Sequence, residues 1–492
     1  QIHLVRDSAA GKRFLAAMTS DSFDEFRRKV PLTEYADYAD LLDGGSPRRF
    51  QSDAHVWAYT ATGPGLSKWI PYTSRAYERL LDNAMAALLL AVAERPGHVA
   101  VSPGDLVMYN VPSRPYLSGI AAFGLAERFG LRGLLDPATS EALDFRDRIA
   151  ASFREALRTR VDIIVSLTSV LWKMASRFEQ RSPRNAGTIP GAHPNARAIC
   201  RLARAGVKSA LSRRPVRPKD LWSPKAIVGW GLDTRLFSDR IEHAWGKAPY
   251  EMYAATEGGI MGLQPRDREG MVFSPYSAFY EFIPAEQLRK KQEDPSFRPD
   301  VLELDEVEAG KTYEVVITNF YGMPLLRYRL GHLIHIHAQG QNGPEFEFTG
   351  RSDERIDIAG FTRMDENTIW KALGDAGLPP SDWTARRERS GDRPVLHIYV
   401  EPPIPCDETS LAVRLHDSLK RTDPLYADLE TMLGIRPLRV TVLPPGTFDR
   451  YYEALRKAGA PLTRCHPPRM NADDDTIDRL LQAAPLKLEL AA

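Results

Sequence analysis

The sequence has few of the features that mark disulfide-rich or membrane-spanning proteins. Its three cysteines, Cys200, Cys406 and Cys465, are far apart and lack paired spacing, which argues against a disulfide framework or a cysteine-rich zinc site. The most apolar window, residues 84–93, is about half of the ~20 residues needed to span a bilayer. We therefore expect a protein of the reducing cytoplasm that does not enter a membrane.

Neither sign of charge is in excess. Lys and Arg number 65 and Asp and Glu 64, which gives a formal net charge of +1. No global electrostatic field would therefore attract nucleic acid or an anionic membrane. The chain does have length and apolar content, since its 492 residues are 43% hydrophobic. That is enough for roughly two or three domains with a sizeable core, and it favours a globular enzyme.

Two secondary-structure patterns follow each other along the chain. Helical patterns over residues 74–94, beginning at a Ser cap, and 143–160 are followed by short β-rich runs such as "TYEVVITNF", an order that predicts a large α/β domain. After "FEFTGRSDERIDIAGF" a helix, a strand, a helix and a strand follow in turn and predict a small α+β domain. We place the large domain at 1–352 and the small one at 353–492.

The stretch "YTATGPGLSK" combines small and hydroxylated residues with one lysine. Thr60, Thr62, Gly63 and Gly65 offer hydroxyls and sterically open backbone N–H groups, and Lys68 adds a mobile positive charge at the far end. Together they suit a triphosphate. A Gly-Pro turn followed by an exposed lysine explains this stretch equally well when it is taken alone.

A second stretch, "YEMYAATEGG", supports the phosphate interpretation. A strand that runs into Thr256 and Glu257 brings a hydroxyl and a carboxylate to its C-terminal end, where open α/β sheets bind their ligands. Glu257 is suited to hold a Mg²⁺ that bridges phosphates, and Thr256 to bond the α-phosphate. Tyr253 is suited to stack on a flat base, although an aromatic residue at a strand end is more often part of a core.

Other stretches follow these two in a recognisable order. They are "DEFRRKVPLTEYADY", "FSPYSAFYEFIP", "GKTYEVVITNFYGMPLLRYRLG", "FEFTGRSDERI", "LPPGTFDRYYEALRKAGAP" and "HPPRM". In this order and spacing the sequence resembles the Gretchen Hagen 3, or auxin-responsive promoter, family of acyl-acid amido synthetases. That family lies within the adenylate-forming superfamily, and the resemblance runs through nearly the whole chain. It implies a large adenylate-forming α/β domain followed by a small mobile α+β domain.

The resemblance also implies a reaction in two steps. A carboxylate attacks the α-phosphate of ATP to give an acyl-adenylate, and an amine, commonly that of an amino acid, then displaces AMP to form an amide. The implied partners are a small carboxylic acid and an amine, with ATP and Mg²⁺ as cofactors. Phosphoryl chemistry needs charge neutralisation more than covalent help, which agrees with a lysine loop and a carboxylate-held metal ion.

Carried over to the matching positions, the family's roles fall on residues of the two stretches and on three later positions, His332, Arg351 and His466. The resemblance implies that four residues are catalytic, with the carboxylate also holding the metal: Lys68, Thr256, Glu257 and His466. The residues implied to bind the nucleotide are Thr60, Thr62, Gly63, Gly65, Lys68, Tyr253, Thr256, His332 and Arg351. Because Lys68 and Glu257 would serve phosphates, we expect both at a water-accessible cleft.

The acyl site and the hinge are implied in the same way. In "VDIIVSLTSVLWKMASRF" the residues that lie where the family lines its acyl site are Ser166, Thr168, Ser169 and Trp172. A buried helix with capping hydroxyls is an equal alternative for each of them. Asp353 ends a Gly-Arg-x-Asp motif that resembles the superfamily's hinge, about which the small domain turns between the two half-reactions.

Three positions depart from the family's pattern. Ala61 replaces a glycine of the phosphate loop, His332 an aspartate that grips the ribose hydroxyls, and His466 a lysine of the C-terminal signature, for which Arg464 or Arg469 are candidate substitutes. Two other hypotheses therefore stay open. One is a ligase that forms a thioester with coenzyme A or a carrier protein, and the other is a binding protein on the same scaffold that no longer adenylates. The acid, the acceptor and the oligomeric state stay open as well.

The hinge hypothesis predicts the effect of Asp353→Pro. Proline fixes φ near −65°, so this variant should trap one orientation of the small domain. Pyrophosphate exchange, which reports the first half-reaction, and amide formation, which reports both, should then fall by different factors. Equal loss in the two assays, in a folded protein, would contradict a hinge at this position.

Overall fold

The computed structural model divides into two compact units, Gln1–Thr60 with Ser67–Phe348 and Ala61–Leu66 with Thr349–Ala492. The predicted boundary after residue 352 stays a prediction. None of the helices in the described part of the chain combines the length and apolar composition that a membrane span needs. The described residues are 1–42, 54–62, 66–95, 97–143, 145–168, 170–172, 174–175, 195–230, 234–266, 269–293, 296–352, 355–358, 362–378, 382–390, 393–404, 406–433, 436–458 and 467–484.

Helices and strands alternate along the chain. The α-helices are α1 (Ile2–Val5), α2 (Ala9–Phe14), α3 (Phe23–Lys29), α4 (Ala39–Leu42), α5 (Ser74–Ala91), α6 (Leu117–Phe129), α7 (Pro137–Ala142), α8 (Phe145–Arg158), α9 (Ala196–Leu211), α10 (Pro218–Leu221), α11 (Thr234–Trp245), α12 (Ala285–Glu293), α13 (Glu366–Asp375), α14 (Glu408–Thr422), α15 (Pro424–Leu433), α16 (Thr447–Lys457) and α17 (Asp474–Gln482). The strands are β1 (Ala54–Thr62), β2 (Leu66–Thr73), β3 (Ala93–Arg95), β4 (His98–Val99), β5 (Leu106–Asn110), β6 (Arg132–Gly133), β7 (Ile163–Leu167), β8 (Ala226–Trp230), β9 (Tyr250–Ala255), β10 (Gly259–Leu263), β11 (Val272–Phe273), β12 (Ala278–Pro284), β13 (Thr312–Asn319), β14 (Tyr328–Gly340), β15 (Gly343–Arg351), β16 (Ile356–Ile358), β17 (Thr362–Met364), β18 (Asp382–Ser390), β19 (Arg393–Glu401) and β20 (Leu438–Val442).

Helix α5 differs in detail from its prediction. It begins at Ser74, but its N-cap is Thr73, whose hydroxyl accepts a hydrogen bond from the Ala76 amide at 3.3 Å. The helix ends at Ala91 rather than near residue 94, because the chain then enters strand β3. The predicted Ser cap was therefore wrong by one residue. The capping residue is Thr73, and threonine can cap a helix in the same way as serine.

The first unit is built around a seven-stranded sheet with the order β11-β10-β9-β8-β7-β5-β6. Strands β6, β5, β7, β8 and β9 run parallel, and β10 and β11 are antiparallel additions. Runs such as "IIVSL" and "AIVGW" are apolar because both faces of a parallel sheet are covered. One face packs on Leu80 and Leu88 of α5 and on Leu125 of α6. The parallel arrangement brings the C-terminal ends of β5, β7, β8 and β9 to one edge.

A four-stranded antiparallel sheet, β12-β13-β14-β15, lies in the same unit. A backbone bridge between Met271 and Phe346 links it to the strand region that ends the first sheet. A buried ion pair holds the start of β14, because Arg327 bonds both carboxylate oxygens of Glu281 at 3.0 and 2.9 Å. The same guanidinium donates to the Val30 carbonyl at 2.9 Å. The N-terminal segment is thereby fixed against the β14 strand.

The second unit contains a three-stranded sheet, β18-β19-β20, with β18 antiparallel and β20 parallel to β19. Leu396, Ile398 and Val400 are fully buried on one face of β19, and alternate residues lie on the other. Helices α14 and α15 connect the parallel strands β19 and β20. The predicted helix, strand, helix and strand are present as α13, β19, α14 and β20, but the prediction missed strand β18 and helix α15.

Candidate functional site

Lys68 and Glu257, which are far apart in the sequence, form a buried ion pair. Lys68 Nζ lies 3.0 Å from Glu257 Oε1 and 3.1 Å from the Tyr328 hydroxyl. The ammonium also lies over two tyrosine rings, 5.3 Å from the centroid of Tyr35 and 5.7 Å from that of Tyr328. Lys68 and Glu257 are 8% and 6% exposed. The expected water-accessible cleft and the alternative of an exposed lysine are both wrong for these residues.

Glu257 is held by the turn between β9 and β10. The two strands pair Ala255 with Gly259, so the chain reverses within "TEGG". Gly259 has φ +73°, a conformation that favours glycine. Gly258 has no room for a side chain, because a Cβ there would lie 2.3 Å from the Met261 sulfur. The two glycines therefore allow a tight reversal that presents Glu257 to Lys68.

Two hydrogen bonds to the backbone fix this turn further. The Tyr72 hydroxyl donates to the Thr256 carbonyl at 2.8 Å, and the Asn319 side-chain amide donates to the Glu257 carbonyl at 2.9 Å. Burial raises the pKa of the Tyr72 phenol, and the negative charge of Glu257 raises that pKa further. The phenol therefore stays protonated and keeps donating at neutral pH.

The protonation state of Glu257 follows from opposing effects. Burial alone would raise the pKa of its carboxyl, but the positive charge of Lys68 and the field of His332 lower it. The net result is a pKa below the ordinary value. Glu257 is therefore an ionised carboxylate at neutral pH, kept in a buried position by a matched cation.

His332 and Tyr253 form a second polar contact beside this pair. Tyr253 Oη lies 2.9 Å from His332 Nδ1, and Tyr253 is 3% exposed. Its ring packs against Phe346 and Phe348, with centroids 5.6 and 5.7 Å away. The structure thus agrees with a core position for Tyr253, and its adenine role stays a prediction. His332 lies within β14 rather than at a strand end.

The proposed acyl residues lie at the C-terminal end of β7. Ser166 and Thr168 are buried. Thr168 Oγ1 is 2.8 Å from Thr234 Oγ1. Trp172 stacks on Phe237 with centroids 5.5 Å apart, and the exposed Arg240 lies 5.4 Å above the Trp172 ring. These contacts are all within the protein, and the acyl role of the residues stays a prediction.

The other predicted residues divide into three groups. Thr60 lies in β1 and Arg351 ends β15 in the second unit. Ala61 and Thr62 lie in β1, but their side chains are outside the description. The predicted residues that lie outside the described part of the chain are Gly63, Gly65, Ser169, Asp353 and His466.

Comparison with protein families identifies the relatives of this chain. The family model described as "GH3 family central domain" matches residues 271–351. The predicted resemblance to the GH3 family is confirmed. A jasmonoyl-L-amino acid synthetase of Oryza sativa subsp. japonica is 29% identical over 51% of this chain and 46% of its own length. A 4-substituted benzoates–glutamate ligase of Arabidopsis thaliana is 27% identical over 40% of this chain and 36% of its own length. The chain matches less than half the length of these GH3 relatives.

Solved structures confirm the fold class. The GH3.15 acyl acid amido synthetase in complex with 2,4-DB aligns with 99% of this chain and 92% of its own chain, at a TM-score of 0.72 and 18% identity. A 2-hydroxyisobutyryl-CoA ligase in the postadenylation state aligns with 98% and 88%, at a TM-score of 0.60 and 16% identity. The chain therefore has the GH3-like α/β fold with a large N-terminal and a smaller C-terminal domain.

The residues around Lys68 and Glu257 suit one metal ligand rather than a complete metal cage. Among the described residues no group of three or more His, Cys, Asp and Glu side chains is placed to hold a metal ion. Magnesium is commonly held by one or two carboxylates together with substrate phosphates and water. Glu257 fits that pattern as a single protein ligand. Lys68 and Tyr328 both contact its Oε1.

Sequence reasoning missed the residues that enclose the ion pair. Tyr328 and Tyr35 flank the ammonium, Asn319 and Tyr72 hold the turn, and none of the four was assigned a role from the sequence. Tyr328 lies in the "LLRYRLG" stretch that helped to establish the GH3 resemblance. A tyrosine next to arginines in a strand carries no sign of its partner, because the contact joins residues 260 positions apart.

Lys68→Met is expected to destabilise the protein in a pH-dependent way. With its pKa lowered in the folded state, Glu257 contributes stability that is present above its unfolded pKa and lost as the pH falls through the folded value. Without Lys68, burial would raise that pKa and make the charged form oppose folding. The free energy of unfolding should fall by about 3–5 kcal/mol at pH 7, and this deficit should shrink below about pH 5.

Urea denaturation of wild type and Lys68→Met from pH 4 to pH 8 measures this difference. The double variant Lys68→Met/Glu257→Gln is the control, because it also removes the carboxylate that Lys68 neutralises. It should recover much of the loss at pH 7. A deficit that is the same at every pH would show that Lys68 stabilises the fold through packing alone.

Proposed function

We propose that this protein is an ATP-dependent ligase that activates a small carboxylic acid as an acyl-adenylate and transfers the acyl group to an amine, such as that of an amino acid. The observation that carries the proposal is the Lys68–Glu257 pair. It joins the predicted phosphate lysine to the predicted metal carboxylate at the C-terminal end of β9. The curated relatives that the chain matches in part are named for amide-forming ligations.

Lys68 is the residue that would neutralise phosphate charge. Its ammonium is already desolvated and held in place by Tyr35 and Tyr328, so it can bind an anion without first losing water. A phosphate group that approaches Nζ competes with Glu257 Oε1 for the same cation. We infer that Lys68 can turn from the carboxylate to the phosphates of ATP, and that Glu257 would hold a metal cation in its place.

That cation is the role we propose for magnesium, which would neutralise charge on the phosphates when bound. The exchange keeps each buried charge matched, so neither Glu257 nor Lys68 is left without a partner. Thr256 adds a hydroxyl next to this carboxylate for the α-phosphate. A cytoplasmic location completes the proposal and is supported by the low number of cysteines.

Carboxylate-dependent exchange of labelled pyrophosphate into ATP tests the first step. With an acid that supports exchange, Lys68→Ala and Glu257→Ala should each lower the rate by about 100-fold or more, because each removes a charge that serves the phosphoryl transition state. Lys225→Ala is a matched control. Lys225 Nζ forms a similar ion pair, 2.8 Å from Asp105 Oδ1. This pair lies just before the N-terminal ends of β8 and β5, at the edge of the sheet opposite the proposed site, so the variant should keep the exchange activity.

Near-normal exchange in either Lys68→Ala or Glu257→Ala would contradict the proposed phosphate site. An absence of exchange in wild type with every acid tested would support the alternative of a binding protein that does not adenylate. With exchange established, replacing the amine by coenzyme A separates an amide-forming ligase from a thioester-forming one.

A separate prediction concerns His332, which stands where the family pattern has an aspartate. A carboxylate can accept hydrogen bonds from both ribose hydroxyls, whereas a neutral imidazole has one acceptor nitrogen, and Tyr253 already contacts Nδ1. Calorimetry with ATP and Mg²⁺ should therefore show modest affinity for wild type. His332→Asp should bind about tenfold to a hundredfold more tightly, as one charge-assisted hydrogen bond is gained.

His335→Asp is the control for this measurement, since His335 lies in the same strand and contacts Thr312 instead. It should leave ATP affinity unchanged. Weaker binding by His332→Asp than by wild type would show that the histidine itself holds the nucleotide. If neither wild type nor His332→Asp binds ATP, that result would contradict adenylation altogether.

A further inference from the structure

Asn110 is a buried polar residue to which the proposed function assigns no role. It is the last residue of β5 and is 0% exposed. Its side-chain Nδ2 lies 3.6 Å from the sulfur of Met174, a weak acceptor. Its side-chain oxygen Oδ1 is buried and has no hydrogen-bond partner among the residues that the structure describes. A buried carboxamide oxygen without a donor is unfavourable and calls for a physical reason.

The strand register places Asn110 beside the proposed acyl residues. In the parallel sheet Asn110 pairs with Ser166, and Ser166 pairs with Gly229. Residues that are register partners project from the same face, so these three form a row across the ends of β5, β7 and β8. We call it the β5–β7–β8 row. It lies at the C-terminal edge of the sheet, where open α/β folds bind ligands.

The hydroxyls near this row already have contacts of their own. Ser166 Oγ donates to the Leu167 carbonyl at 3.0 Å, and Thr168 Oγ1 pairs with Thr234 Oγ1. Gly229 contributes no side chain, and a Cβ there would lie 3.0 Å from Thr168 Oγ1. The donors of the neighbouring hydroxyls are thus committed elsewhere, and among the described residues of this row the Asn110 oxygen is the acceptor without a donor.

We propose that Asn110 binds a hydroxyl group on the carboxylic acid substrate, which is therefore a hydroxy acid. A hydroxyl can both donate and accept, so it satisfies the carboxamide in either of its two orientations. The row consists of neutral groups, so a charged ammonium would be buried there without a counter-ion. The proposal rests on the proposed function, because it assigns a specificity residue to the acid of that reaction.

The first test uses the free protein and no substrate. Asn110→Leu replaces the unsatisfied carboxamide by an apolar group of similar shape and should raise Tm by about 2 °C or more. Asn83→Leu is the matched control. Asn83 is also buried, but its Nδ2 donates to the Ile260 carbonyl and to Ser277 at 2.9 and 2.7 Å, so this change should lower Tm. A clear fall in Tm for Asn110→Leu would mean that Asn110 is satisfied within the protein, and would overturn the proposal.

The second test compares pairs of carboxylic acids, aliphatic and aromatic, that differ by one hydroxyl. Thermal shift measures their binding and pyrophosphate exchange measures their activation. For at least one pair, wild type should prefer the hydroxylated acid by about tenfold or more in kcat/KM. Asn110→Leu should abolish or reverse this preference while it keeps exchange with the acid that lacks the hydroxyl. Asn110→Ala serves the same purpose if the leucine variant does not fold.

The outcomes separate this proposal from the proposed function. Exchange without any hydroxyl preference in wild type, or with the same preference in wild type and Asn110→Leu, would overturn the role of Asn110 and leave the ligase intact. Hydroxyl-dependent binding that needs Asn110, in a protein that exchanges no pyrophosphate, would support Asn110 and contradict the ligase. Absence of hydroxyl preference in both binding and exchange across the panel overturns the hydroxy-acid assignment.

Discussion

Two opposite charges taken out of water must be matched closely, because the desolvation of each is costly unless the other stands in direct contact. Lys68 and Glu257 meet that condition, and the residues around them are arranged to keep it. Tyr35 and Tyr328 face the ammonium, while Tyr72 and Asn319 hold the turn that carries the carboxylate. The geometry of the site therefore depends on one ion pair, and any anion that binds must compete for that pair.

Part of this arrangement could be predicted from the sequence. Lys68 and Glu257 were predictable because each lies in a short stretch whose composition suits phosphate or metal, and because those stretches occur in an order typical of one family. The α/β fold was predictable from the alternation of helical and β-rich runs. The burial of Lys68 and Glu257 was not predictable. A lysine after a glycine-rich loop has the same sequence whether it faces water or a carboxylate 189 positions away.

The roles of Tyr253 and Asn110 were harder to predict for a related reason. The ring of Tyr253, in β9, packs against rings from β14 and β15. Only the packing of the sheets brings those strands together. Asn110 ends an ordinary apolar strand, "LVMYN". Its unsatisfied oxygen becomes visible only once the register of β5 with β7 is known, because hydrogen-bond satisfaction is a property of neighbours in space.

The bridge between Met271 and Phe346 joins the end of the first sheet to the antiparallel sheet. The turn that carries Glu257 and the strand that carries His332 consequently belong to one continuous set of backbone hydrogen bonds within the first unit. Backbone hydrogen bonds that are already made before a ligand enters reduce the conformational entropy that binding has to remove. Such preorganisation would act on the nucleotide side of the proposed site, whereas the choice of acid would depend on the β5–β7–β8 row.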